Sequence, residues 1–162
     1  MRVAVISVLA GGVLSAGIAA AEPCARPADL AAFGVAGLKT HLMVVALSCS
    51  QQDRYNDFVH RFQGELVSHE RALNAYFARA FGGRAQAMHD DYITSLANTQ
   101  SESGIHQGTL FCRQNVGMFD EVMALAKGGL ASYAAGKVLD QPMELVACPT
   151  EVRTAQATTK RQ

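Results

Sequence analysis

The stretch RYNDFVHRFQGELVSHERALNAYFARAF, residues 54–81, decides the fold, because it carries the strongest helical pattern in the chain. Its large apolar side chains share one broad face when successive residues are placed 100° apart on a helix. They are Tyr55, Phe58, Phe62, Leu66, Leu73, Tyr76, Phe77 and Ala80. At about 1.5 Å per residue this helix is roughly 40 Å long, and Gly82 and Gly83 end it. We therefore expect it to form the longest element of a bundle, with Asp53 as its N-cap.

Three further segments show helical periodicity. In residues 29–49, Leu38, Leu42, Val45 and Cys49 share a face, and two early glycines restrict the firm helix to about 38–47. A helix is predicted over residues 84–100, followed by the polar loop SESGIHQG, residues 101–108. Another helix is predicted over residues 109–127, where Cys112 lies on the apolar face.

The remaining pattern is weaker and contains no strand signal. A short helix is expected at residues 130–139 and a turn at 143–147. No segment alternates between apolar and polar residues as a half-buried strand does. The predicted fold class is therefore all-α, a bundle of four or five helices.

The first residues indicate export. Arg2 is followed by an apolar run that ends in Ala-Ala-Ala before Glu22, which is typical of a cleaved secretory signal peptide at residues 1–21. We expect a single helical domain at residues 22–149 and a disordered tail at 150–162, where apolar residues are scarce. The mature protein is then expected in the periplasm or secreted, without stable insertion in a membrane.

Export also governs the interpretation of the four cysteines, because disulfides persist in oxidising compartments. Cys49 and Cys112 lie on the apolar faces of two helices, whereas Cys24 and Cys148 lie near the two ends of the folded part. We therefore predict the pairs Cys49–Cys112 and Cys24–Cys148, one of three possible connectivities. The wide spacing, with no Cys-x-x-Cys, argues against zinc, redox or covalent haem sites at these cysteines.

The segments LMVVALSCSQQDRYNDFV and ALNAYFARAFGG, together with the Phe-Cys pair at residues 111–112, resemble small, exported, all-helical bacterial proteins of uncharacterised function. The resemblance covers about half of the mature chain. It implies an exported helical protein and no particular activity.

Glu65 and His69 form the candidate polar site. They stand one helical turn apart, at the edge of the apolar face, and are suited to handle a proton or to contribute to a metal site. The alternative is a partly buried histidine that pairs with its own helical neighbour, since two residues on one helix are too few for a closed metal site. His89, within MHDDY at residues 88–92, is a further possible ligand, although a solvated helix face accounts for that motif as well.

Composition excludes some functions and leaves others open. The 14 basic and 14 acidic residues cancel, so no basic field favours nucleic acid. No HExxH, GxSxG, Walker loop or GxGxxG occurs. The leading hypothesis is an exported, non-enzymatic helical module, without a cofactor, that binds a protein partner or a small apolar ligand. The alternatives are a metal- or haem-binding bundle and, third, a small hydrolase.

Overall fold

The computed structural model describes residues 24–149, which form three long helices followed by three short ones. The helices are α1 (Pro27–Ser48), α2 (Gln52–Phe81), α3 (Ala85–Gln107), α4 (Leu110–Asn115), α5 (Met118–Met123) and α6 (Leu130–Ala135), with one turn of 3-10 helix, Gly82–Arg84, before α3. The predicted all-α bundle is confirmed. The predicted signal peptide, residues 1–21, and the predicted tail, residues 150–162, lie outside the described residues.

Helix α1 lies at the centre, in contact with α2, α3, α4 and α6. Its buried residues do not form one stripe but surround the helix, as expected for a helix that is apolar on all sides. They are Asp29, Ala32, Phe33, Val35, Gly37, Leu38, Thr40, Leu42, Val44, Val45 and Ala46. Within residues 24–149, α1 is also the one helix whose length and composition suit a membrane span, and 56% of its most apolar window is buried inside the bundle.

Helix α1 begins at Pro27, about ten residues before the predicted start at Leu38. Pro27 suits the first helical position, which needs no N–H donor. Asp29, which is 3% exposed, accepts a hydrogen bond from the backbone N–H of Arg26 at 2.8 Å and pairs with Arg79 of α2 at 2.6 Å. These contacts hold the first turn and outweigh the low helix propensity of the glycines that follow.

Helix α2 buries the predicted face, including Phe58, Phe62, Leu73, Tyr76 and Phe77, and it ends at Phe81 as expected. Two features differ from the prediction. The N-cap is Gln51 rather than Asp53, and its side chain makes no capping hydrogen bond. The helix is also kinked at Phe62, whose φ of −107° and ψ of 15° are not helical.

The apolar side chains form two clusters along α1 and α2. The first surrounds Leu38 and Leu42 and takes in Phe58 and Phe62 of α2 together with residues of α4, α5 and α6. The second surrounds Phe33 and takes in Tyr76 and Phe77 of α2 and Tyr92 of α3. The kink in α2 therefore lies within the first cluster, while the straight C-terminal half of α2 packs in the second.

The predicted loop at residues 101–108 is wrong, because α3 continues to Gln107 and ends at Gly108 with a φ of 56°. Gly104 belongs to the buried side of this last turn, and a Cβ there would lie 3.2 Å from the ring of Phe111. The predicted helix over 109–127 is divided into α4 and α5 at residues 116–117. Residues 101–107 are mostly polar and therefore resemble a loop in the sequence, although one face of this last part of α3 packs against the core.

The segment after α6 is held against α1 by side-chain amides. Gln100 of α3 donates to the carbonyl oxygens of Gly37 and Asp140, each at 3.1 Å, and Gln141 donates to the carbonyl of Phe33 at 3.3 Å. Tyr92 donates to Oε1 of Gln141 at 2.9 Å. A Cβ at position 37 would meet the side-chain amide of Gln141, so a larger residue there would displace that amide from its hydrogen bonds to α1 and α3.

Further along, residues 143–147 do not form the predicted turn, since the chain bends at 142–143, has no regular structure at 144–146 and forms a parallel bridge between Ala147 and Ala25. Backbone hydrogen bonds of 2.8 Å and 2.9 Å join Ala25 to Val146 and Cys148. The two ends of the described chain are thus held side by side.

Both predicted disulfides are confirmed. Cys24–Cys148 joins the two chain ends, with its Cα atoms 4.7 Å apart, and Cys49–Cys112 joins the end of α1 to α4, with its Cα atoms 5.6 Å apart. Cys49 and Cys112 are only partly buried, at the edge of the first cluster rather than in the middle of the core.

We predict that removing Cys49–Cys112 destabilises the protein more than removing Cys24–Cys148. Each closes a long loop, and loss of either should cost about 2–5 kcal/mol. The first also positions α4, whose Phe111 is buried in the core, whereas the second is supported by the hydrogen bonds of Ala25 and Gln141. Thermal melting of the two double Cys→Ala variants measures the difference, and a larger loss for the Cys24–Cys148 variant would contradict it.

Candidate functional site

A groove of about 740 Å³ opens beside α2, with residues of α3 on its far side and Lys39 of α1 beneath. It is lined by Lys39, Tyr55, Asn56, Val59, His60, Gln63, Leu66, Val67, Glu70, His89 and Ile93. Gln63 and Glu70 are seven positions apart on α2, so the groove follows about two turns of α2 beyond the kink as well as the turns before it. Its lining includes residues of α1, α2 and α3 and none of α4, α5 or α6.

The lining of the groove is mixed, because four aliphatic side chains occur beside the polar side chains of Asn56, His60 and Gln63. Val59, Leu66 and Val67 come from α2 and Ile93 faces them from α3. Tyr55 adds an aromatic ring, and burial raises the pKa of its phenol above the ordinary value, so the hydroxyl stays neutral near pH 7. Val67 is 43% exposed, which leaves part of the aliphatic lining in contact with solvent.

The polar residues of the groove come from three helices. Glu70 of α2 and His89 of α3 face each other, with Oε1 and Nε2 3.0 Å apart, and Lys39 of α1 lies in the floor. Glu70 and Lys39 also line the narrow seam between α1 and α2 beneath the groove. The acid, the histidine and the lysine are therefore neighbours in space, although 31 and 19 residues separate them in sequence.

His89 is the most enclosed of these polar side chains. Only 12% of it is exposed, its ring packs edge-on against Phe77 with centroids 5.4 Å apart, and Nδ1 lies 3.5 Å from Asp90. Neither ring nitrogen has a well-directed hydrogen-bond partner among the described residues, so the short distance to Glu70 does not correspond to an aligned hydrogen bond. The solvated helix face expected for residues 88–92 holds for Asp90 and Asp91, which are exposed, but not for His89.

Glu65 and His69 lie outside this groove. Both line a second depression, of about 440 Å³, with Lys127 and Gly128. Glu65 accepts hydrogen bonds from the backbone N–H groups of Gly128 and Leu130, each at 2.8 Å, at the start of α6. No hydrogen bond or ion pair joins Glu65 to His69 in the part of the chain that the structure describes. The Glu65 carboxylate therefore binds the N-terminus of α6 and does not pair with His69.

His41 of α1 is a partly buried histidine that periodicity did not single out. Its Nε2 lies 2.9 Å from Oδ1 of Asn115, and its ring packs edge-on against Phe111. Burial lowers the pKa of His41 below its ordinary value of 6.5, while the Asn115 hydrogen bond and the charge of Asp140 act in the opposite direction. His41 is consequently a neutral donor near pH 7.

Sequence reasoning missed the groove because its residues come from three helices and share no local motif. One signal was available, since Lys39 is the only Lys, Arg, Asp or Glu between residues 30 and 48. A lone charge in an otherwise apolar segment indicates a position that reaches solvent or a partner.

Within residues 24–149, no three His, Cys, Asp or Glu side chains come together as a metal site would require. Comparison of the chain with protein-family models, with characterised proteins and with solved structures finds no significant match. The groove is therefore interpreted from its own geometry.

We predict that Glu65→Ala lowers the free energy of unfolding by about 1 kcal/mol, because two backbone N–H groups at the start of α6 lose their acceptor. Denaturant unfolding measures the loss. Glu102→Ala, on the exposed side of α3, is the matched control and should change stability little. An unchanged midpoint in the Glu65 variant would show that the carboxylate does not hold α6.

We predict that the protein loses stability as pH falls below about 6.5, through His41. The unfolded chain protonates its histidine first, since the folded pKa is lowered, so the free energy of unfolding falls until the pH reaches the folded pKa. Melting curves from pH 8 to pH 5 should be flatter for His41→Gln than for the parent. His106→Gln, at an exposed site on α3, is the control, and parallel curves for parent and His41→Gln would refute the assignment.

Proposed function

We propose that the protein is an exported, non-enzymatic binding module that holds a small apolar ligand in the groove between α2 and α3. The observation that supports this most is the lining itself: Val59, Leu66 and Val67 of α2 and Ile93 of α3 give the groove an aliphatic surface, which polar side chains of the same helices border. Small-molecule sites are typically apolar clefts of about 300–1,000 Å³ with few polar groups, and the groove falls in this range.

The construction of the bundle suits a preformed site. Both walls belong to long helices, and α1 supports them from below through the two apolar clusters. The disulfides join the chain ends and fasten α1 to α4, which limits the conformations open to the bundle. A rigid site lowers the entropy lost on binding, so a weakly polar ligand can be held without large contacts.

The proposed location is the periplasm or the extracellular space. Two disulfides are compatible with an oxidising compartment, and the first 21 residues have the composition of a signal peptide. In such a compartment, a small helical protein with an apolar groove would carry or shelter molecules that dissolve poorly in water.

We predict that the protein binds the neutral dye N-phenylnaphthylamine and that Val67→Glu weakens this binding at least about tenfold. A carboxylate at position 67 places a charge on the apolar wall, yet the side chain is already 43% exposed, so the fold should tolerate it. Dye fluorescence during titration gives both affinities.

The matched control is Val138→Glu, at a fully exposed valine outside the groove, which should bind the dye like the parent. Failure of the parent protein to bind the dye, or equal weakening by the two variants, would contradict a ligand site in this groove.

A further inference from the structure

We propose that the ligand of this groove is a free aliphatic monocarboxylate, whose carboxylate pairs with Lys39 and whose chain lies along Val59, Leu66, Val67 and Ile93. The inference rests on the proposed function and specifies its ligand class. The geometry that carries it is the ammonium of Lys39, which has no acidic partner among residues 24–149 and lines a groove that also contains four aliphatic side chains.

Lys39 occupies an unusual position on its helix. It is the only Lys, Arg, Asp or Glu between residues 30 and 48, and the helix around it is buried on all sides. The lysine itself is partly buried and lines both the groove and the seam beneath it. Its charge therefore reaches solvent through the groove.

The acidic groups of the described chain leave Lys39 without a partner. No carboxylate oxygen among residues 24–149 lies within 4.0 Å of its ammonium nitrogen. Glu70 is the acid that shares the groove, and its carboxylate is 3.0 Å from His89. By contrast, Lys137 is paired with Glu121 at 2.5 Å on the outer surface.

A partly buried charge loses part of its hydration, so a ligand that supplies an opposite charge gains a charge-assisted hydrogen bond there. One cation favours a single negative charge over a phosphate or a dicarboxylate, because Glu70 in the same groove would repel additional charge. The apolar walls then favour an aliphatic chain over a polar body. Together these features select an amphipathic acid.

The test uses dodecanoate and dodecanol, which share the chain and differ in the head group. Each displaces N-phenylnaphthylamine from the purified parent protein, from Lys39→Gln and from Lys127→Gln. Lys127 is an exposed lysine outside the groove and has no ion pair among the described residues, so it is the matched control for the charge change. Lys39→Arg, which keeps the charge, guards against a folding defect in Lys39→Gln.

We expect dodecanoate to bind the parent about tenfold more tightly than dodecanol, with the preference lost in Lys39→Gln and kept in Lys39→Arg and Lys127→Gln. Equal binding of acid and alcohol by the parent, or a preference that survives in Lys39→Gln, would overturn the assignment of Lys39. In that case dye binding that remains sensitive to Val67→Glu would leave the proposed groove intact. Loss of that sensitivity as well would remove both proposals.

Discussion

The burial of α1 on every side is the constraint on which the rest of the structure depends. An apolar helix of 22 residues needs partners around its whole circumference, and a single neighbouring helix covers only part of it. Helices α2 and α3 cover one part, α4 and α6 cover another, and the chain after α6 returns to Phe33 and Gly37. The two disulfides lie at the two ends of α1, since Cys24 precedes the helix and Cys49 follows it.

Three polar groups of α1 are paired with side chains of other helices. Asp29 is matched by Arg79, His41 by Asn115, and the carbonyl of Gly37 by Gln100. Such pairing offsets the cost of removing polar groups from water. Lys39 differs from them, because it faces a groove and has no acidic partner among the described residues. Lys39 lies in the groove that residues of α2 and α3 line, so the one charged residue between residues 30 and 48 belongs to the candidate site.

Much of the bundle was predictable from local pattern, and the site was not. The apolar face of residues 54–81 predicted the fold class. The similar environments of the cysteines within each pair predicted both disulfides. The start of α1 and the last turns of α3 were missed, because Asp29 and Gly104 make tertiary contacts that override propensity. Glu65 and His69 were paired by spacing alone, whereas Glu65 finds backbone N–H groups more than 60 residues away. The mature start, the export route and the ligand stay predictions.

The proposed ligand site lies in the groove between α2 and α3, beside Lys39. The most direct measurement is a set of intermolecular nuclear Overhauser effects between dodecanoate and the methyl groups of the labelled protein. We expect contacts from the aliphatic chain to Val59, Val67 and Ile93, and none to Val138. Contacts confined to exposed methyl groups outside the groove, such as those of Ile105 at 77% exposure, would contradict the proposed site.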